Sequence, residues 1–389
     1  MKSATRRSVA ISGVGGGFGI ITFVTRAALL LLAGAILLSQ PRSGLWSGER
    51  VKRIEAAVEA ERVRQGIAGT TVSIARNGAL RYSGAFGKAD LENDVETRTD
   101  TRFRTASVCK PMTAVAALQL WERGRLDLDA PIQKDLPSYP EKPWAITTRM
   151  LLGHLSGTRA YRDAEMDSTG RYNSVAEALK IFSADALLHQ PRSKYLYSTY
   201  GYNTAGAVVE AAAGVPFIDF VRDNILAPAK MEATRDDSHG DIIPHRTRGY
   251  TKTRDGKIVN AVLADTSNKI PGGGYVSTSD DLIRFALAWQ QEKLLKPATM
   301  KMQIEKQKLL DGSLTGYGLG WNVSAVAGKN AISHSGSQHG TRTYLAIFPD
   351  MQLVVAVMTN SDFAEPVRVV ELIVKGVEAA SSQSTAKQP

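Results

Sequence analysis

The segment FRTASVCKPMTAVAALQL, from Phe103 to Leu120, places a serine and a lysine three residues apart just before an apolar run. Positions i and i+3 of a helix lie on one face, so the side chains of Ser107 and Lys110 can meet. A serine hydroxyl is a poor nucleophile without a neighbouring base, and a lysine serves as that base where burial lowers its pKa. Pro111 is typical of a first helical turn, where backbone N–H groups can stabilise an oxyanion.

The Ser-x-x-Lys spacing is weak evidence by itself. It recurs at Ser384 and Lys387 in the polar C-terminal tail, where nothing predicts burial of the lysine. Taken alone, the first copy is more often an N-cap serine that starts a buried helix than a nucleophile. The choice between a nucleophile and a helix cap therefore depends on the rest of the chain.

The remaining chain predicts strands at both ends and helices between them. Val51–Gln65 has helical spacing, and Gly69–Gly87 predicts a hairpin that turns at Asn77-Gly78. The helix after Ser107 is expected to end in the segment Leu126–Pro131. A mostly helical middle then extends to about Lys269.

The C-terminal third starts with the Gly-rich segment PGGGYVSTSDDL, in which Ser279 is the candidate N-cap of a helix. The last hundred residues are rich in strand patterns, and a final helix is predicted from Ala364 to Glu378. Strands at both chain ends with helices between them predict one sheet built from both ends and flanked by helices.

The first 42 residues differ from all the others. Their only formal charges are Lys2, Arg6, Arg7, Arg26 and Arg42, and apolar uncharged segments lie between them. This composition predicts a signal peptide or an N-terminal membrane anchor, with cleavage left open. The catalytic domain is then expected outside the cytoplasm, exported to a periplasm or tethered to a membrane.

Charge and cysteine content narrow the classes of partner. The formal net charge is +10, but no basic stripe is interleaved with aromatic residues, so a nucleic-acid partner is not expected. Cys109 is the only cysteine, and the histidines lack the spacing of metal ligands. The sequence therefore predicts neither a metal site nor a cofactor.

Four further segments accompany the Ser107 segment in a recognisable order. They are ITTRMLLGHLSGTR, KYLYSTYGYNTAGAVVE, PGGGYVSTSDDL and ISHSGSQHGTRTYLAIFPD. Together they resemble the serine β-lactamase-related superfamily, which includes class C β-lactamases and penicillin-binding proteins, and most of all its LACTB-like serine peptidases. The resemblance covers about Val51 to Asp362.

The resemblance implies an α/β (α+β) fold of the β-lactamase/transpeptidase type, with an antiparallel sheet built from both chain ends. A catalytic domain is expected over residues 43–380. Its α/β part spans about 50–115 and 272–380, and its inserted helical part spans about 116–271. Residues 1–42 are the predicted leader and 381–389 a polar tail.

The resemblance also assigns catalytic roles. Ser107 is the nucleophile, Lys110 is its base or proton relay, and Tyr197 passes a proton to the leaving group. A tyrosinate beside a lysine ammonium is chemically reasonable, because opposite charges favour both ionised forms. His154, in LLGHLSGT, resembles a family turn that supports the site and is not expected to be catalytic.

The substrate-binding residues implied by the resemblance are Thr199, His334, Ser335, Gly336 and Ser337. The last four form an edge strand along which substrate lies, and the N–H groups of Ser107 and Ser337 form the oxyanion hole. Thr199 stands where the family has an asparagine, and His334 where β-lactamases have a lysine and many other relatives a histidine. The loss of an amide and of a fixed cation makes high penicillinase activity doubtful.

The predicted function is a serine hydrolase that acts through an acyl-enzyme, with a peptidase or esterase on peptide-like substrates as the first choice. A β-lactamase or D-Ala-D-Ala carboxypeptidase is one alternative. A filament-forming or penicillin-recognising scaffold with little turnover is the other, since the LACTB-like branch is associated with filaments. The implied partners are a peptide, ester or β-lactam-like substrate, a membrane through the leader, and further copies of the chain.

Overall fold

Strands from both ends of the chain combine with helices from its middle in the computed structural model, which describes residues 46–385. The strands are β1 (Gly69–Arg76), β2 (Ala79–Asp90), β3 (Val95–Glu96), β4 (Phe103–Arg104), β5 (Arg235–Asp236), β6 (Tyr250–Lys252), β7 (Ile258–Asn260), β8 (Tyr275–Ser277), β9 (Asn322–Val326), β10 (Lys329–Gln338), β11 (Thr341–Phe348) and β12 (Leu353–Thr359).

The α-helices are α1 (Glu49–Gln65), α2 (Lys110–Glu122), α3 (Thr148–Leu152), α4 (Val175–Leu179), α5 (Thr199–Ala213), α6 (Phe217–Val221), α7 (Ala227–Ala229), α8 (Ile270–Gly273), α9 (Ser279–Gln290), α10 (Pro297–Ile304) and α11 (Pro366–Thr385). Shorter helical turns of other types lie at Ala106–Cys109, Ile132–Lys134, Asp163–Asp167, Arg222–Leu226, Ser267–Lys269 and Pro349–Met351. The predicted leader, residues 1–42, falls outside the described residues.

The large sheet joins the two ends of the chain. Its strand order is β3-β2-β1-β12-β11-β10-β9, and β1 pairs antiparallel with β12 from Thr70 opposite Thr359 to Arg76 opposite Leu353. The predicted hairpin is present, and its turn residues Asn77 and Gly78 have φ of 52° and 71°. Two positive φ values in succession suit the right-handed twist of the flanking strands. The predicted antiparallel sheet built from both ends is confirmed.

Helices cover both faces of this sheet. Val355 and Val357 of β12 pack with Val370 of α11 on one face, whereas Ala356 and Met358 belong to the core on the other. Because successive side chains of a strand point to opposite faces, an uninterrupted apolar strand such as LVVAVMT must be buried on both sides. The larger core contains buried residues of α2, α5 and α9.

A second sheet of three short strands connects the helical part to the chain ends. Its order is β4-β8-β5, with Phe103 opposite Ser277 and Arg235 opposite Val276. The pairing of β4 with β8 therefore holds the segment before Ser107 next to the Gly-rich segment before β8. This pairing fixes the position of the candidate site.

Three predicted helix boundaries differ from the structure. Helix α2 ends at Glu122, before the segment Leu126–Pro131, and Gly124 follows with a φ of 68°. The N-cap of α9 is Thr278, whose side chain accepts from the N–H of Asp281, so Ser279 is already the first helical residue. The final helix starts at Pro366 and continues to Thr385, so the first part of the predicted polar tail is helical.

Within residues 46–385, no single helix is long and apolar enough to cross a membrane. One bent pair, Thr199–Ala213 with Phe217–Ala229, passes by length and composition and is bent by 81°. Most residues of the first of these helices are buried in the protein.

Candidate active site

The turn that carries Ser107 joins the small sheet to helix α2. Ala106 has a φ of 46°, a left-handed conformation that costs a non-glycine residue about 1–2 kcal/mol. The short helical turn Ala106–Cys109 follows, and α2 then begins with Pro111 in its first turn. Ser107 is only half-buried although the residues on either side of it are buried. The sharp turn therefore presents the serine at the surface of an otherwise closed segment.

Ser107 does not cap helix α2. Cys109 occupies the N-cap position of α2, and no side chain there accepts a capping hydrogen bond. The Nζ of Lys110 instead donates to the Oγ of Ser107 at 3.0 Å. The N-cap interpretation of Ser107 is therefore wrong, and the side-chain contact expected from the i, i+3 spacing is present.

Lys110 is fully buried at the centre of the site. Its Nζ also donates to the carbonyl oxygen of Gly272 at 2.6 Å and to the Oγ1 of Thr199 at 3.3 Å. Burial lowers the pKa of Lys110 to about 7, and the positive charge of Lys269 adds to the lowering. At and above neutral pH, a large share of the lysine is therefore an uncharged amine, which can accept a proton from Ser107.

Tyr197 lies beside the same pair, just before helix α5. The Lys110 Nζ is 4.9 Å from the centre of the Tyr197 ring. Although 36% of the residue is exposed, its hydroxyl is surrounded by protein. This burial raises the pKa of Tyr197 far above its usual value. A hydrogen bond to Ser107 lowers the pKa again, but only in part. Burial favours the neutral forms of both groups, and so disfavours a tyrosinate beside a lysine ammonium.

His154 supports the tyrosine from behind. Its Nδ1 accepts from the backbone N–H of Ser198 at 3.1 Å, and its ring centre lies 4.2 Å from that of Tyr197. Burial lowers the pKa of His154 well below its usual value, so the ring is neutral. Its position agrees with the expected supporting role.

The edge of β10 forms the opposite wall of the site. Strand β9 pairs with β10 only from Lys329 to Ser333, so β9 does not cover the edge of β10 at Ser335–Gln338. A Cβ atom on Gly336 would lie 2.5 Å from the carbonyl oxygen of Thr105 and 3.3 Å from the backbone N of Ser107. Only glycine permits so close an approach, which brings the edge strand next to the serine.

His334 lies behind this edge and not in the cleft. Its Nδ1 lies 2.7 Å from the carbonyl oxygen of Ser335, which can only accept, so Nδ1 carries the proton. Its Nε2 then accepts from the hydroxyl of Tyr317 at 2.8 Å. Burial lowers the pKa of His334 to about 3. Both ring nitrogens are occupied in a buried, neutral ring, so the geometry favours support of the strand over the direct substrate contact that the sequence predicted.

A small cleft opens at Ser107, with about 240 Å³ of empty volume. Ser107, Thr199 and Ser337, all predicted site residues, line it together. Ser335 is exposed on the same strand and is not among the lining residues. The predicted residues that line the cleft thus come from three separate segments of the chain.

Two further lining residues, Tyr161 and Lys269, were not found from the sequence. Lys269 immediately precedes the Gly-rich segment IPGGG that supplies Gly272 and Gly273. That adjacency is the signal that could have identified it. Nothing local marks Tyr161, since its contact with the site depends on the folded loop.

Comparison with known proteins places this chain in a family. A family model described as Beta-lactamase matches residues 52–376. The chain belongs to this Beta-lactamase family. It is therefore a member of a group of serine hydrolases with the β-lactamase fold, and the resemblance expected from the sequence is confirmed.

Three proteins illustrate what the chain is similar to. The human serine beta-lactamase-like protein LACTB, mitochondrial, is 27% identical over an alignment that covers 82% of this chain and 75% of that protein. The structure of D-amino acid amidase from Ochrobactrum anthropi SV3 with D-phenylalanine has a TM-score of 0.76 at 21% identity, and covers 86% of this chain and 100% of the amidase. The octameric penicillin-binding protein homologue from Pyrococcus abyssi has a TM-score of 0.73 at 22% identity, and covers 83% of this chain and 76% of the homologue. At such identities the two structures show a shared fold alone.

Proposed function

We propose that the protein is a serine hydrolase that works through an acyl-enzyme, with Ser107 as nucleophile and Lys110 as its base. The observation that carries this proposal is the 3.0 Å contact between the Ser107 Oγ and a fully buried Lys110 Nζ. Burial lowers the pKa of Lys110 to about 7, so its amine is poised to exchange protons near neutral pH.

In acylation, Lys110 takes the proton of Ser107 as the Oγ bonds to the substrate carbonyl carbon. Backbone N–H groups of Ser107 and Ser337 bind the oxyanion that forms. The neutral Tyr197 hydroxyl donates a proton to the leaving nitrogen or oxygen and regains one from the Lys110 ammonium. The bond to the leaving group breaks, and the acyl group stays on Ser107.

In deacylation, the same groups act on water. Water gives a proton to the Lys110–Tyr197 pair and bonds to the ester carbon. The bond to Ser107 Oγ then breaks, and the serine oxygen recovers its proton from the pair. The acid product leaves, and the starting protonation states are restored.

A peptide-like amide or ester is the substrate class that this site favours. The edge of β10 that β9 leaves uncovered at Ser335–Gln338 suits an extended chain, which adds to the edge through backbone hydrogen bonds. The likeness to a D-amino acid amidase gives the amide class a precedent within the fold. Thr199 and His334 replace an asparagine and a cation, so β-lactam hydrolysis is the weaker candidate.

An assembled scaffold with little turnover is the second candidate. The octameric state of the Pyrococcus abyssi homologue motivates it, because that protein shares the fold. Sedimentation velocity of residues 43–389 tests this alternative. A monomer that turns over substrate argues against it.

We also propose that residues 1–42 direct the catalytic domain to a membrane or across one. The support is the pairing of cationic residues with apolar uncharged segments in this part of the chain. Fractionation of cells that express the full chain or residues 43–389 tests this. Equal distribution of the two between membrane and soluble fractions would contradict it.

Labelling with a fluorophosphonate is the direct test of the activated serine. We expect intact mass to increase by one adduct and peptide mapping to place it on Ser107. Ser107→Ala should abolish the adduct, whereas Ser313→Ala, a change at an exposed serine elsewhere, should not. Unmodified Ser107 in a folded sample would refute the proposal.

A further inference from the structure

A second buried lysine, Lys269, lines the same cleft as Ser107. Only 3% of Lys269 is exposed, and it ends the helical turn Ser267–Lys269 directly before α8. Its Nζ donates to the carbonyl oxygen of Met166 at 3.0 Å and lies 5.3 Å from the centre of the Tyr161 ring. An ammonium group has three donors, so this single hydrogen bond within the described residues leaves it short of acceptors.

The carboxylates near Lys269 are engaged with other groups. Asp167 contacts the ring of His339, and Asp265 accepts from the backbone N–H of Ser267 at 2.7 Å. Both act on Lys269 only through longer-range attraction, while Arg104 repels it. Burial lowers the pKa of Lys269 to about 8, which still leaves most of the lysine charged at neutral pH. No carboxylate among the described side chains forms an ion pair with Lys269. Such a buried cation is costly, and an anion in the cleft would relieve that cost.

We propose that Lys269 binds an anionic group of the substrate, a carboxylate close to the scissile carbonyl. This inference rests on the proposed function, since it places the anion in the cleft where Ser107 reacts. Lys269 and Ser107 line the same small cleft. A carboxylate bound at Lys269 is therefore close to the carbonyl that Ser107 attacks.

A different role for Lys269 must be separated from this one. Its charge also lowers the pKa of Lys110, so its loss would alter the base that serves every substrate. An effect through Lys110 changes charged and neutral substrates in the same proportion. An effect through anion binding changes the ratio of their rates.

The test therefore measures kcat/KM for two matched esters, mono-p-nitrophenyl succinate, which carries a carboxylate, and p-nitrophenyl acetate, which does not. We expect the protein to prefer the succinate ester. Lys269→Met should lower the ratio of the two values by about 10- to 100-fold, the loss typical of a charged hydrogen bond. Lys269→Arg should retain part of the preference, and Lys257→Met, at an exposed lysine, all of it.

Circular dichroism establishes whether each variant is folded. If Lys269→Met does not fold, Lys269→Gln replaces it, because glutamine keeps a donor for the Met166 carbonyl. A ratio unchanged in the folded variant, or no initial preference for the succinate ester, would overturn the inference. If neither ester is hydrolysed and Ser107 takes no fluorophosphonate, the proposed function fails instead. Calorimetry with succinate then tests the inference. The inference requires that the unmodified protein binds succinate and that Lys269→Met does not.

Discussion

The cleft at Ser107 and a groove on the other face of the large sheet differ in size and in lining. The groove lies between α1, α11 and the turn that joins β1 to β2, and has about 1340 Å³ of empty volume against 240 Å³ for the cleft. It is lined by apolar residues together with four arginines, Arg50, Arg53, Arg76 and Arg81. The groove thus has far more volume and charge than the cleft.

The reactive groups nevertheless lie at the cleft, because its lysines are buried away from water. Lys110 is 0% exposed, whereas Arg50 and Arg53 are exposed. Desolvation lowers the pKa of the Lys110 amine to about 7, which makes it a base near neutral pH. The difference teaches that burial of a titratable group, and not the volume around it, marks a reactive site.

Of all the substitutions, Lys110→Met should reduce activity the most. Removal of the base should lower kcat/KM for p-nitrophenyl acetate by about 100- to 10,000-fold. The unfolding temperature should fall by no more than a few degrees, because loss of a buried amine removes a desolvation cost that offsets the lost hydrogen bonds. Steady-state kinetics and thermal denaturation measure both quantities.

Arg53→Met in the groove is the matched control for Lys110→Met. It also removes one long cation, but from a solvated surface, and should leave kcat/KM unchanged. A comparable loss of activity in both variants would show that the contrast between cleft and groove is false.

The pH dependence of kcat/KM should follow the protonation of Lys110. Because the pKa of Lys110 is lowered to about 7 and the reactive form is the neutral amine, activity should rise with pH and level off above about 7. Two pH units below this value it should fall about 100-fold. Kinetics with p-nitrophenyl acetate from pH 5 to 9 give the midpoint. A midpoint near the ordinary lysine value would contradict a desolvated base.

Gly336→Ala tests the close approach of the β10 edge to the serine. The new Cβ would lie 2.5 Å from the carbonyl oxygen of Thr105, which is backbone and cannot move easily. We expect the free energy of unfolding to fall by about 1–3 kcal/mol and kcat/KM to fall by about 10- to 100-fold. Chemical denaturation and ester kinetics measure these changes. Wild-type activity in this variant would mean that the edge strand is not part of the site.

Most of the fold could be predicted from the sequence, because its strongest signals are local. Asn77-Gly78 fixes a hairpin turn, and LVVAVMT is apolar enough to require burial on both faces. The helix ends were harder, since Thr278 and Ser279 both carry a hydroxyl that can cap α9. The choice between them depends on contacts with distant residues, among them the hydrogen bond from Ser73 to Ser279.

The candidate site was predictable in part. The contact of Ser107 with Lys110 follows from helical spacing, whereas the positions of Tyr197 and Ser337 required the family resemblance. Lys269 and the charge state of Tyr197 escaped prediction, because both depend on burial by segments far apart in the chain. Spacing in a sequence specifies neighbours on one helix but not the surroundings that shift a pKa.

The smallest expected effect is on a glycine of the groove, Gly376, which contrasts with Gly336 of the cleft. Gly376 lies inside helix α11, and a Cβ built there meets no atom within 4 Å. Alanine should therefore raise the free energy of unfolding by about 0.5–1 kcal/mol, since glycine loses more backbone entropy in a helix. Chemical denaturation of Gly376→Ala should show this gain with unchanged ester kinetics. A gain of stability in Gly376→Ala and a loss in Gly336→Ala would show that of the two glycines only Gly336 is closely packed. A loss in both variants would mean that the groove is equally constrained.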